Sequence, residues 1–146
     1  MTETVVYTHD YPYRAVASSG TNAPAVEVRL TVPRKRPLHI VGLVDTGAEY
    51  TAFNTSVAKS LGLSMSRGGR WRTVNALGSP GGIQLKFFKV AIEVGGRGRE
   101  AEVGFFEPKA DGSAQGKNLL GRSGFLEHVQ AGFRERHQRM FLNFEA

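Results

Sequence analysis

Apolar and polar residues alternate along much of the chain, a pattern that favours β-strands over helices. Between Val26 and Val32 every second residue is aliphatic, and the residues between are charged or polar. This is typical of a strand buried on one face. After the turn residues 33–37, the apolar run Leu38–Val44 predicts a buried strand that returns as a hairpin.

The second half of the chain continues this strand pattern. Apolar residues recur at alternate positions in Trp71–Leu77, Ile83–Val94 and Ala101–Phe105, and a last strand is predicted over Met140–Phe144. The segment Gly78–Gly82 contains three glycines and a proline, so it predicts a turn between the first two of these strands.

Two short helices are predicted besides the strands. Asn54 is a good N-cap for a helix that ends before Gly62, because its side chain can accept a backbone N–H and glycine tolerates the left-handed C-terminal position. Ser123 predicts the start of a second helix that runs to Val129. The predicted fold class is therefore all-β with one or two short helices.

The chain has 146 residues, of which 40% are hydrophobic and 22% charged, and this predicts one folded domain. Residues 1–24 are interpreted as an N-terminal arm, in which Val5–Tyr7 could form a short strand. Residues 25–146 are interpreted as the domain. No internal repeat divides the sequence.

Several classes of chemistry are excluded or disfavoured by composition. The chain contains no cysteine, which excludes disulfides, thiolate zinc sites and a cysteine nucleophile. The four histidines have no zinc-ligand spacing, so no metal and no cofactor are expected. No apolar segment approaches membrane-helix length and no signal peptide is recognisable, so no membrane association and a cytoplasmic location are expected.

The net charge is +6, from 19 lysines and arginines against 13 acidic residues. Basic runs such as Arg34–Arg36 and Arg67–Arg72 therefore raise the alternative of a nucleic-acid-binding module. These runs fall mostly in predicted turns, where arginine is simply solvated. Nucleic acid is accordingly the less favoured partner.

One residue stands out for its chemistry. Asp45 directly follows the predicted buried strand Leu38–Val44, and burial of an unpaired carboxylate is costly. The side chain therefore needs hydrogen-bond donors. Gly47 allows the chain to turn tightly beside the carboxylate and present backbone N–H groups to it.

The segment Leu43–Ala48 reads Leu-Val-Asp-Thr-Gly-Ala and, with Thr51, resembles the active-site loop of retropepsin-like aspartic proteases, the retroviral-type single-domain family. The glycine-rich hairpin Thr73–Ile83 lies where that family has its flap. Leu119–Arg122, Leu-Leu-Gly-Arg, resembles the second family signature and precedes the predicted helix. The resemblance covers roughly residues 25–144 and implies a retropepsin-like half-barrel.

The resemblance also implies roles for individual residues. Catalytic roles fall on Asp45, Thr46 and Gly47. Arg122 is expected to pair with Glu49, a position where retroviral members usually have aspartate, and Thr51 and Gly121 are expected to support the loop. Substrate-binding roles are implied for Ala48, Glu49, Gly78, Gly81, Gly82, Leu119 and Leu120.

Hydrolysis by this route needs two carboxylates that share a water, and the sequence holds one Asp-Thr-Gly. We therefore expect a homodimer in which Asp45 of each copy meets at a two-fold axis. The substrate would be a polypeptide bound as an extended strand. By the same resemblance, Met140–Phe144 contribute to the dimer sheet, together with the arm.

Two hypotheses stand beside the aspartic endopeptidase. One is a catalytically silent, peptide-binding dimer of the same fold, and the other is the basic nucleic-acid-binding module. Loss of activity in an Asp45 variant that stays dimeric would favour the enzyme. Peptide binding without turnover would favour the silent dimer, and oligonucleotide binding at physiological salt would favour the third reading.

Overall fold

A computed structural model describes residues 2–16, 20–76, 79–107 and 117–145. Within these ranges the only α-helix is α1 (Thr55–Ser60), and two 3₁₀ turns cover Leu126–His128 and Glu135–His137. The strands are β1 (His9–Pro12), β2 (Arg14–Ala15), β3 (Asn22–Ala23), β4 (Ala25–Thr31), β5 (Leu38–Val44), β6 (Ala52–Asn54), β7 (Arg70–Ala76), β8 (Ser79–Val94), β9 (Arg97–Phe106), β10 (Leu119–Leu120), β11 (Val129–Arg134) and β12 (Arg139–Phe144). The all-β class is therefore confirmed.

The main sheet closes into a barrel. Its strand order is β4-β5-β10-β6-β9-β8, and β4 also pairs with β8, so that six strands form a ring. The strand β7 lies outside this ring and pairs with β8. Large side chains that are fully buried fill the interior, among them Leu30, Phe53, Phe105 and Leu120. Leu30 and Phe105 are apolar members of the alternation seen in the sequence, whereas Phe53 and Leu120 lie in the short strands β6 and β10 outside it.

A second sheet has the order β1-β12-β11 and joins the two ends of the chain. Met140 and Leu142 of β12 are fully buried in the barrel core. The first strand forms at His9–Pro12, whereas the strand expected at Val5–Tyr7 is not present. Since β12 is central, its backbone is used on both sides within the chain, and the edges of this sheet belong to β1 and β11.

The first predicted helix is confirmed and the second is wrong. Asn54 caps α1, its side-chain oxygen accepting the Ser56 N–H at 2.9 Å, and Gly62 follows the helix at φ 77°. The helix expected over Ser123–Val129 is reduced to the 3₁₀ turn at Leu126–His128. Gly124 has a left-handed φ of 94°, which interrupts helical geometry, and Val129 already pairs in β11.

The hairpin of β7 and β8 is longer than the sequence predicts. Ala76 pairs with Ser79, so Ser79 already belongs to β8 and not to the turn. The register shifts between the Ala76–Ser79 and Val74–Ile83 pairs, and Gly81 and Gly82, both at φ 82°, lie in this irregular part of β8. A Cβ on Gly82 would lie 2.6 Å from the Val74 carbonyl oxygen, so this bulge requires glycine.

No helix in the described ranges is both long enough and apolar enough to span a membrane.

Candidate active site

The loop between β5 and β6 surrounds the end of a third strand. Although β5 and β6 follow each other along the chain, β10 lies between them in the sheet and pairs with both. Leu119 is the shared residue, in parallel register with Leu43 and in antiparallel register with Ala52. The loop that contains Asp45 must therefore pass over the end of β10.

Backbone hydrogen bonds fasten this loop to the end of β10 and to the segment that follows it. Asp45 N–H donates to the Leu120 carbonyl at 3.0 Å, so the aspartate is fixed where β5 ends. The other limb of the loop is held by three further bonds, which are Arg122 N–H to Ala48 O at 2.9 Å, Ser123 N–H to Glu49 O at 2.8 Å and Thr51 N–H to Ser123 O at 3.0 Å.

Two buried residues, Thr51 and Gly121, hold the Asp45 loop against the segment that follows β10. Thr51 is fully buried, and its Oγ1 accepts the Gly121 N–H at 3.1 Å. A Cβ on Gly121 would lie 2.8 Å from the Ala48 carbonyl oxygen and closer still to the carbonyl of Tyr50. Only glycine allows this approach, and the hydrogen bond from Gly121 to Thr51 joins the two segments at this point.

The carboxylate of Asp45 is half-buried and oriented by its own loop. Its Oδ1 accepts the Gly47 N–H at 2.9 Å, and the Ala48 N–H closes the turn onto the Asp45 carbonyl at 3.2 Å. This is the donor that the sequence predicts for Gly47. Thr46 lies between them and is exposed at the surface of the loop.

The loop opens into a cleft of about 500 Å³ whose opposite wall is the β7–β8 hairpin. Ala48, Glu49 and Leu119, three of the residues predicted to bind substrate, line this cleft, whereas Leu120 points into the barrel core and is fully buried. Adjacent strand residues face opposite ways, so only one leucine of the pair can reach the cleft. The lining residues are Asp45, Gly47, Ala48, Glu49, Tyr50, Ala52, Val74, Asn75, Ile83, Leu85 and Leu119.

The predicted flap glycines are less directly involved. Gly78 lies outside the described residues. Gly81 and Gly82 lie in β8 but are not among the residues that line the cleft. The wall is instead made by the apolar pair Val74 and Ile83, which are in register, and by Leu85.

Apolar side chains from the loop and the hairpin are expected from the family resemblance, but Val74, Ile83, Leu85 and Tyr50 are not among the predicted site residues. The alternation in β7 and β8 identifies Val74, Ile83 and Leu85 as one face of a hairpin, since residues two apart on a strand share a face. It gives no indication of which strand they oppose, because that depends on how the hairpin folds over the loop.

The expected ion pair between Glu49 and Arg122 is absent from the described part of the chain. Both side chains are exposed, and no carboxylate–guanidinium contact within 4.0 Å joins them. The two residues are linked through neighbouring backbone bonds instead, which hold the loop without a side-chain contribution. In the described residues, no cluster of three or more His, Asp or Glu side chains is arranged to hold a metal.

A closed barrel with an Asp-Thr-Gly loop facing a hairpin-covered cleft defines a protein of the retropepsin class. The aspartyl protease family model matches residues 28–123, well over half of the chain, so the chain belongs to this family. No curated protein sequence matches it significantly.

The fold agrees with this assignment. The chain is similar to the crystal structure of a retropepsin-like aspartic protease from Rickettsia conorii, with a TM-score of 0.59 and 18% sequence identity. The similarity covers 92% of this chain and 98% of that one. The resemblance first suggested by the Asp45 and Leu119–Arg122 motifs is therefore confirmed at the level of family and fold.

Proposed function

We propose that this chain is an aspartic endopeptidase, and that Asp45 from each of two copies forms the catalytic pair. The observation that carries the proposal is the position of the Asp45 carboxylate. It lies at the end of a barrel strand, is held by the Gly47 N–H at 2.9 Å, and opens into a cleft.

The chemistry follows from two carboxylates that share one water. The ionised carboxylate accepts a proton as the water attacks the scissile carbonyl carbon. The protonated one donates a hydrogen bond to the carbonyl oxygen and later supplies a proton to the leaving nitrogen. Two carboxyl groups this close titrate as a unit, because they do not readily ionise together.

One chain supplies one Asp-Thr-Gly, so the proposed site is complete only in a homodimer. The exposed Thr46 beside Asp45 supports this, since its hydroxyl is available to contact the equivalent loop of a partner. In this proposal Gly47 also positions the substrate backbone.

The proposed substrate is an extended polypeptide that lies between the loop and the hairpin. Strand-like binding uses main-chain hydrogen bonds, with side chains entering pockets alternately. The apolar lining from Val74, Ile83, Leu85 and Leu119 favours apolar side chains near the scissile bond. Gly81 and Gly82 are proposed to bring the hairpin backbone close to this strand.

The test is Asp45→Asn, which keeps the shape of the side chain and removes its acid–base function. Asp10→Asn is the matched control, because Asp10 is an exposed carboxylate in β1 that pairs with Arg139 at 2.8 Å. Cleavage of a mixed peptide library should fall by roughly 10³-fold or more in the first variant. It should persist in the control.

Sedimentation velocity of both variants and of the wild type completes this experiment. An Asp45→Asn protein that stays dimeric and folded but does not cleave supports the proposal. Unchanged cleavage by that variant would contradict it. Peptide binding by a wild type that never cleaves would favour the silent peptide-binding dimer instead.

A further inference from the structure

A cationic side chain, that of Arg72, lies against Tyr50, which lines the cleft. The guanidinium carbon of Arg72 in β7 lies 5.5 Å from the centre of the Tyr50 ring and 5.6 Å from that of Phe87. One of its terminal nitrogens, Nη2, is 3.4 Å from the Tyr50 hydroxyl. Tyr50 and Phe87 meet edge to face with their centres 5.3 Å apart, so together they form an aromatic seat for the cation.

The strand geometry turns Arg72 toward the cleft. Residues two apart on a strand share a face, and Val74, two residues on, lines the cleft. Leu85, directly opposite Arg72 in the β7–β8 register, lines it as well. Tyr50, on which Arg72 rests, is also part of the lining. Arg72 therefore continues the substrate-facing surface of the hairpin past its apolar part.

The charge of Arg72 is not neutralised within the described ranges. The side chain is exposed, and none of the ion pairs formed there includes it. A guanidinium that lies over aromatic rings still presents N–H groups at its edge. Although Nη2 donates to the Tyr50 hydroxyl, the remaining N–H groups of Arg72 can bind a carboxylate. The planar fork is also held in place before any ligand arrives.

We propose that Arg72 is a specificity-determining residue that binds an acidic side chain of the substrate. This rests on the proposed peptidase function for the cleft, although binding of an acidic peptide requires no turnover. The substrates preferred by this chain would carry an aspartate or glutamate at one fixed position beside an apolar cleavage site. The net charge of +6 favours encounter with such peptides.

The test compares short fluorescent peptides that carry Glu, Gln or Lys at one position and are otherwise identical. Binding is measured by anisotropy in an Asp45→Asn background, and kcat/KM is measured with the intact aspartate. Arg72→Met removes the charge and keeps an apolar stem over the rings. Arg70→Met is the matched control, because Arg70 is exposed on the same face of the same strand.

The wild type should prefer Glu over Gln about threefold to tenfold at one position, and less at high salt. This ratio should fall to about one in Arg72→Met, stay unchanged in Arg70→Met, and reverse toward Lys in Arg72→Glu. Arg72→Lys should keep part of it, since an ammonium lacks the planar fork.

Two results would overturn the proposal. One is the absence of a Glu preference at any position. The other is an equal decrease in affinity and kcat/KM for the Glu and Gln peptides in Arg72→Met. That result would mean that Arg72 only holds Tyr50 in place. The preference for acidic peptides is measured by binding as well as by cleavage. Selective binding of these peptides without cleavage would therefore support the Arg72 subsite and contradict only the proposed peptidase activity.

Discussion

The two walls of the cleft are fixed in different ways. The Asp45 loop is held by backbone hydrogen bonds to the segment after β10, together with the fully buried hydroxyl of Thr51. The β7–β8 hairpin is anchored at its base, where β8 pairs with β9 from Lys86 onward. Its cleft-facing part, before Lys86, meets the loop through side chains. Arg72 stacks on Tyr50, and the Lys86 ammonium donates to the Met65 carbonyl at 2.7 Å.

This difference separates the position of the Asp45 carboxylate, which must stay constant, from the side chains of the hairpin, which can vary. Backbone bonds depend little on side-chain identity, so they keep a carboxylate in place while the surrounding surface changes. Side-chain contacts can be exchanged one residue at a time, and each exchange alters what the cleft accepts. We infer that the loop carries the chemistry of the site and that the hairpin carries its selectivity.

Among changes that affect the Asp45 loop, Gly121→Ala should destabilise the protein most. Its added methyl group would meet the carbonyl of Ala48 at 2.8 Å and that of Tyr50 more closely, so the crossing must open. We expect a loss of about 3 kcal/mol in unfolding free energy, measured by urea denaturation, together with loss of activity. Gly98→Ala is the control, since the nearest atoms there are 3.8 Å away. Equal stability of the two variants would contradict this account of the loop.

A smaller effect is expected from Thr51→Val, which keeps the shape and removes the buried hydroxyl. The Gly121 N–H then loses its acceptor at 3.1 Å in a site closed to water. We expect a loss of about 2 kcal/mol in chemical denaturation. Thr51→Ser retains the hydroxyl and should recover most of that loss. If serine and valine were equally destabilising, packing and not the hydrogen bond would hold the loop.

A substitution in the β7–β8 hairpin should change the unfolding free energy least. Lys86 is buried, with its Nζ 5.6 Å from the Trp71 ring centre and 5.7 Å from that of Phe88. Lys86→Met should lower the unfolding free energy by about 1 kcal/mol, because the apolar stem still packs while the Met65 carbonyl loses a donor. Lys89→Met changes an exposed lysine of the same strand and should have no measurable effect. A loss larger than that of Thr51→Val would reverse the comparison of the two walls.

The parts of the site that are local in sequence could be predicted, and those that depend on packing could not. The Asp45 turn and the cap at Asn54 follow from motifs whose geometry is fixed within a few residues. The hydrogen bond between Gly121 and Thr51 joins segments 70 residues apart, and neither motif specifies it. The failed helix after Ser123 depends on the left-handed Gly124, which no periodicity reveals.

The residues that line the cleft could not be predicted either, because their positions depend on how distant strands pack together. Leu119 and Leu120 look equivalent in the sequence, yet the placement of β10 between β5 and β6 puts one in the cleft and the other in the core. Likewise, Tyr50 and Arg72 are 22 residues apart and meet only because the hairpin folds over the loop.

The central claim is that Asp45 of two chains makes one site, and subunit mixing tests it most directly. Wild type and Asp45→Asn are combined in equal amounts, allowed to exchange, and assayed at constant total protein. If each site needs both carboxylates, activity should fall to about one quarter of the unmixed wild type, because only that share of dimers carries two aspartates. Activity of about one half, linear in the wild-type fraction, would show that each chain acts alone and would contradict the account.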